Sequence, residues 1–149
     1  MATILLPTDF KDFLKLLNEN AVEYLLVGGY AVGHHGYPRA TGDMDIWIER
    51  SAPNSERVAA ALRGFGFSSE DIAAEVFREA DRVVRMGNPP LRIEVLTSVS
   101  GVEFADCWVI REITILDGVP VNMIDIQSLK TNKQASGRLK DLNDLKHLP

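Results

Sequence analysis

Asp43 and Asp45 are separated by one residue in Asp43-Met44-Asp45-Ile46-Trp47-Ile48, and they follow a glycine pair, Gly28-Gly29. Side chains on a strand repeat every two residues, so Asp43, Asp45, Trp47 and Glu49 are predicted on one face. Met44, Ile46 and Ile48 take the other face, toward a core. Two neighbouring carboxylates on one face repel unless a cation neutralises them. Hard oxygen ligands of this kind suit Mg²⁺ or Mn²⁺, held by a few carboxylates together with substrate phosphates. Glu94 of Leu91-Arg92-Ile93-Glu94-Val95-Leu96 repeats the pattern, with Ile93 and Val95 toward the core and Arg92, Glu94 and Leu96 opposite. Three acids on adjacent strands can hold two metals roughly 4 Å apart and stabilise in-line attack on a phosphate. An ion pair with Arg92, or one across strands, is the competing account of Glu94.

The glycines fit phosphate chemistry. Val22–Val27 is predicted as a strand and Tyr30–His35 as a short helix, which places Gly28 and Gly29 where the backbone can approach an anion closely. Gly28-Gly29-Tyr30-Ala31-Val32-Gly33 has P-loop glycine spacing, but His34-His35 stand where Lys and Ser or Thr are required. The Gly-x-Gly-x-x-Gly dinucleotide pattern is absent. Asp43-x-Asp45 begins like a calcium loop, yet Trp47 and Ile48 occupy positions that need a ligand and a glycine. His34, His35 and His147 lack zinc-ligand spacing with Cys or acids, and core or surface roles are expected for them. Trp47 and Tyr30 are expected to pack rather than to stack on a base.

The elements that position these residues follow from periodicity. Phe10, Phe13, Leu14 and Leu17 describe an amphipathic helix, with Thr8 or Asp9 as its cap. The Asp43–Glu49 strand is followed by a helix over Ser55–Arg63, with Val58, Leu62 and Phe65 on one stripe, and by a helix over Ser69–Glu79. Arg82–Met86 and Leu91–Thr97 are predicted to pair around the turn Gly87-Asn88-Pro89-Pro90. Glu112–Leu116 and Val119–Ile124 flank Asp117-Gly118, a hairpin signal. Helices near Ile126–Ala135 and Arg138–Leu148 end the chain. The expected fold class is α/β (α+β): a mixed sheet with helices packed against it.

Gly28-Gly29, Arg39, Thr41, Asp43, Asp45 and Glu94 together resemble the signature of the polymerase-β-type nucleotidyltransferase superfamily. The closest likeness is to small stand-alone bacterial and archaeal members, including toxin, antitoxin and phage-defence nucleotidyltransferases. The ending resembles the C-terminal helices of that subgroup through Leu129-Lys130, Lys133, Gly137-Arg138-Leu139-Lys140-Asp141 and Asp144-Leu145. The resemblance runs from about Tyr24 to Leu148. It implies a nucleotidyltransferase fold and Mg²⁺-dependent (or Mn²⁺-dependent) transfer of a nucleoside monophosphate from an NTP to an acceptor hydroxyl on protein or RNA. Asp43, Asp45 and Glu94 are then the catalytic and metal-binding acids. Gly28, Gly29, Arg39, Thr41, Lys130 and Lys133 are the nucleotide-binding residues. A catalytically silent nucleotide-binding or antitoxin-like module of the same fold is the rival reading. The chain lacks the second helical domain with which larger members clamp substrate, so a partner protein or a homodimer is an expected companion.

Composition sets the remaining bounds. A chain of 149 residues is expected to form one domain, with the C-terminal helices part of it. Lone Cys107 forms no intramolecular disulfide framework. No signal peptide or membrane-length apolar run is present, so a cytoplasmic location is expected. Net charge is −5, which argues against broad, nonspecific nucleic-acid binding. From Lys130 onward the balance is +3 and elsewhere −8. That basic tail is suited to a triphosphate or an acceptor RNA, or it is a solvated helix face.

Overall fold

The computed structural model describes residues 4–68, 72–88 and 90–149. Its strands are β1 (Tyr24–Val27), β2 (Asp43–Ile48), β3 (Val83–Met86), β4 (Arg92–Leu96), β5 (Glu112–Leu116) and β6 (Val119–Met123). They form one mixed sheet in the order β3-β4-β2-β1-β6-β5. β2 runs parallel to β4 and β1 parallel to β6, while the β1/β2, β3/β4 and β5/β6 pairs are antiparallel. Central β1 is buried along its whole length, so its sequence is a continuous apolar run rather than an alternating one.

Helix α1 (Thr8–Glu19) buries Phe10, Phe13, Leu14 and Leu17, the predicted stripe. Thr8 and Asp9 do not cap it. Pro7, with φ near −54°, holds the cap position, and Thr8 and Asp9 lie in the first turn. The glycine-led helix α2 (Gly28–His34) starts two residues earlier than expected, so both glycines belong to its first turn. Helix α3 (Ala52–Gly64) also starts early, because Ser51 accepts from the Asn54 amide and caps it. Asn54 is fully buried. Its side chain accepts from the Glu23 amide and donates to the Glu23 and Glu49 carbonyls, tying α3 to both central strands.

The helix expected over Ser69–Glu79 does not form as such. Residues 69–71 lie outside the described residues, and beyond them only a 3₁₀ turn, Ala74–Arg78, is present. Phe77 is its one buried residue, so there is no apolar stripe to support further turns. The β3/β4 pair forms as predicted on either side of its turn, of which Pro89 lies outside the described residues. Asp117 and Gly118 both have positive φ, 47° and 82°, the backbone of a tight two-residue hairpin.

A short helix that periodicity did not predict, α4 (Phe104–Val109), packs Phe104 edge-on against Trp47 at 5.1 Å. Trp47 is consequently buried although it shares a face with the acids. Tyr30 likewise packs, edge-on to Phe10. Helices α5 (Ile126–Ser136) and α6 (Leu139–His147) meet at Gly137, whose φ of 67° makes the sharp reversal. Among the described residues no helix is long and apolar enough to cross a membrane.

Candidate active site

The parallel register of β2 and β4 sets Asp45 beside Glu94, but the oxygens of Asp43, Asp45 and Glu94 do not all gather within 4.8 Å of one another. Asp45 lies opposite Glu94, and Asp43 opposite Arg92. Neighbouring strands are about 4.8 Å apart, so side chains at paired positions on one face are in contact range. Alternation holds in both strands: Met44 and Ile46, and Ile93 and Val95, are buried behind the carboxylates. The apolar half of each strand therefore fixes the height and direction of its acids.

The cluster is short of positive charge where it is deepest. Asp45 Oδ1 is buried and accepts no hydrogen bond among the described residues. The Asp45 carboxyl is pushed up to about 7, chiefly by burial and then by the charge of Glu94, a hydrogen bond shared with it, and the charge of Asp43. Lys140 pulls in the opposite direction. The outer acids have arginine partners. Arg92 donates to both oxygens of Asp43 at 3.3 and 3.4 Å, and its Nη2 lies 3.9 Å from Glu94. Arg85, opposite Glu94 on β3, donates to it at 3.0 Å.

Gly28 is required by the carboxylate beside it. Its φ is +68°, and a Cβ there would lie 2.1 Å from Asp45 Oδ2. Any other residue would displace Asp45 and strain the backbone. At Gly29 a Cβ would lie 2.6 Å from Thr41 Oγ1 and 3.3 Å from Arg39 Nη1. Thr41 donates to the Asp43 carbonyl at 3.2 Å, so it braces the entry to β2 beneath the glycine turn.

A cavity of about 290 Å³ opens over this turn, lined by Gly28, Gly29, Arg39 and Asp45 from the sheet side. Lys133, Arg138, Lys140 and Asp141 line it from the C-terminal helices, and Ser98 and Ser100 from the loop after β4. A larger cavity, about 430 Å³, is walled by Phe10, Phe65, Phe67, Met86 and Ile93, and among the described residues Asp9 is its one titratable lining group.

The predicted nucleotide-binding residues separate into three sets. Gly28, Gly29 and Arg39 border the acid-bearing cavity. Lys133 also reaches it, but its ammonium is buried between Asp141 at 2.8 Å and Asp144 at 3.1 Å. Lys130 and Thr41 do not line it. Lys130 donates to the Pro149 carbonyl on another face of α5, because the helix turn between positions 130 and 133 points it away. The further cations lining it are Lys140 and Arg138, the latter donating to Asp141 at 2.8 Å, and Arg92 joins the acids directly. Arg138 and Lys140 were visible only as part of the basic tail. Choosing among those cations needs the angle between α5 and α6.

No protein-family model matches the chain, and no curated protein matches it. Among solved structures it is similar to the crystal structure of a "putative nucleotidyltransferase" from Thermotoga maritima. The superposition has a TM-score of 0.62 and covers 92% of this chain and 88% of that one, at 10% identity. The fold is a nucleotidyltransferase fold. At that identity the likeness is one of backbone, and chemistry has to be argued from this chain's own side chains.

Proposed function

We propose that this protein is a divalent-metal-dependent nucleotidyltransferase, moving a nucleoside monophosphate from an NTP to an acceptor hydroxyl. One observation carries the reading: the buried oxygen of Asp45, unpartnered among the described residues, on a strand face shared with Asp43, opposite Glu94 and beside a glycine where any side chain would displace it. An orphaned buried carboxylate oxygen is costly, and a cation is the simplest remedy. The donor set is all oxygen, which fits Mg²⁺ or Mn²⁺. Asp43, Asp45 and Glu94 are the residues that would hold it. Bound there, the metal supplies neutralisation of phosphate charge and acidification of the acceptor hydroxyl.

This chain's own groups do the rest. The Gly28 and Gly29 backbone receives the triphosphate, with Lys140 and Arg138 facing it across the cavity to stabilise charge that moves onto the leaving pyrophosphate. Glu94, oriented by Arg85, accepts the proton of the acceptor hydroxyl as its oxygen bonds the α-phosphorus. The bond from that phosphorus to the bridging oxygen breaks, and pyrophosphate leaves. Arg39 and Lys133 act from behind, fixing the C-terminal helices against the glycine turn. The acceptor is a protein Tyr or Ser, or an RNA 3′ end, in keeping with the small prokaryotic members that the sequence resembles.

A second reading has its own support. Arg92 spans Asp43 and approaches Glu94 as a metal would, which suits a silent nucleotide-binding module. Labelled NTP with Mg²⁺ and cell extract, resolved on protein and RNA gels, separates the two. Transfer that falls by about 10³-fold or more in Asp43→Asn/Asp45→Asn, the scale of losing a principal electrostatic group, supports the enzyme. Undiminished transfer in that variant would sink it, and tight NTP binding without any transfer favours the module.

A further inference from the structure

At the end of α2 away from the glycines, two imidazoles and a carboxylate converge. His34 closes the helix and His35 caps it. Glu112 opens the edge strand β5. One ligand atom from each lies within 4.8 Å of the other two. The spacing that His34 and His35 lack in sequence is thus supplied by folding, across a separation of 78 residues.

Three features go beyond proximity. His35 Nε2 lies 2.7 Å from the Ile124 carbonyl. A carbonyl only accepts, so Nε2 carries the hydrogen and Nδ1 keeps its lone pair. A metal-ligating histidine is oriented in this way, by donating its other ring nitrogen to a backbone carbonyl. His34 Nε2 and Glu112 Oε2 are 2.9 Å apart. Two donors at about 2.0–2.1 Å from one tetrahedral zinc lie about 3.3 Å from each other, so a cation needs these atoms to part by only a few tenths of an ångström. The His34 side chain is 24% exposed and that of Glu112 45%, which leaves solvent access for entry and for a water at the fourth position.

We propose that His34, His35 and Glu112 bind a zinc-class cation, at a site separate from the three-carboxylate cluster. Two nitrogens and one oxygen suit Zn²⁺ and its first-row neighbours, whereas the all-oxygen cluster suits Mg²⁺. The bound ion ties the end of α2 to the edge of the sheet. Because the other end of α2 carries Gly28 and Gly29, it also fixes the helix that presents them. The site stands whether or not nucleotidyl transfer does.

The test is Zn²⁺ titration of untagged, metal-stripped protein against a chromophoric chelator. One Zn²⁺ per chain is expected. His34→Ala, His35→Ala and Glu112→Gln should each weaken it by at least the roughly 10–100-fold seen when outer-shell partners are lost. Asp43→Asn/Asp45→Asn should leave it within about twofold. A wild-type measurement removes dependence on variant folding: ¹⁵N-resolved imidazole NMR should show Zn²⁺ shifting His34 Nε2 and His35 Nδ1 but not the His147 ring. No saturable binding in the wild type would overturn the site and leave His34–Glu112 as a hydrogen bond. So would binding that vanishes in the Asp43/Asp45 variant but survives the other three, or NMR shifts that bypass both histidines.

Discussion

Asp45 and Asp141 line one cavity, and the protein treats the groups of acids to which they belong differently. Asp141 and Asp144, on α6, are surrounded by partners. Arg39 grips both oxygens of Asp144 at 2.8 Å, Lys133 bridges the two acids, and Arg138 and Ser136 complete Asp141. Burial alone would raise the Asp141 carboxyl, but hydrogen bonds from Lys133, Ser136 and Arg138 outweigh it and hold the group down to about 2. Asp144 is lowered too, its burial outweighed by Arg39 and Lys133. Asp45, half-buried but with one oxygen enclosed, is driven up to about 7, and that oxygen has no partner among the described residues. The α6 acids are satisfied internally and serve to dock α5 and α6. Of the β2/β4 acids, Asp43 and Glu94 have arginine partners and Asp45 is left in deficit among the described residues, the observation on which the proposed cation site rests.

That contrast can be broken most forcefully at Asp144. Asp144→Ala leaves Arg39 and buried Lys133 without their shared partner, and removing one member of such a network costs about 3–5 kcal/mol. Asp45→Asn should cost nothing or raise the melting temperature, since it relieves repulsion. Denaturant melts of both variants check this, and equal losses would erase the distinction. Next in size is the response to metal. Saturating Mn²⁺ at about a hundred times its Kd should stabilise the wild type by about 2.7 kcal/mol, and should do nothing for Asp43→Asn/Asp45→Asn. Thermal shifts with and without chelator read it.

A third contrast is the dependence on pH without metal, where the clusters should behave oppositely. A carboxyl raised from 3.8 to about 7 takes up a proton on folding. Its contribution is fully present below pH 3.8 and is lost as pH rises to 7. Asp141, lowered to about 2, contributes above pH 3.8 and loses that contribution as pH falls to 2. Asp45→Asn should therefore match the wild type near pH 4 and become progressively the more stable of the two as pH rises to 7. The difference between wild type and Asp141→Asn should grow from pH 2 to 4. Parallel curves would contradict the assignment.

Local patterns carried much of this into the sequence. The α1 stripe, the alternation in β2 and β4 and the Asp117-Gly118 turn each depend on neighbours a few residues apart, so periodicity reveals them. The acids and glycines were visible for the same reason. What escaped depends on distant packing. Helix α4 has six residues and no side-chain cap, and it is held by Phe104 against Trp47. Lys130 and Lys133 look equivalent in sequence, yet the Gly137 reversal buries one against α6 and turns the other toward Pro149. Arg92 appeared as a partner for Glu94, but the parallel register sets it chiefly on Asp43. The meeting of Glu112 with His34 exists only because β5 forms the sheet edge beside α2.

The deficit at Asp45 is tested most directly by a crystal structure with a nonhydrolysable NTP and Mn²⁺, whose anomalous signal locates the ions. The expected result is Mn²⁺ bound by Asp43, Asp45 and Glu94, with Arg92 moved off Asp43 and the triphosphate against Gly28 and Gly29. Nucleotide bound there with no Mn²⁺ on those three acids, and Arg92 still in place, would contradict the account.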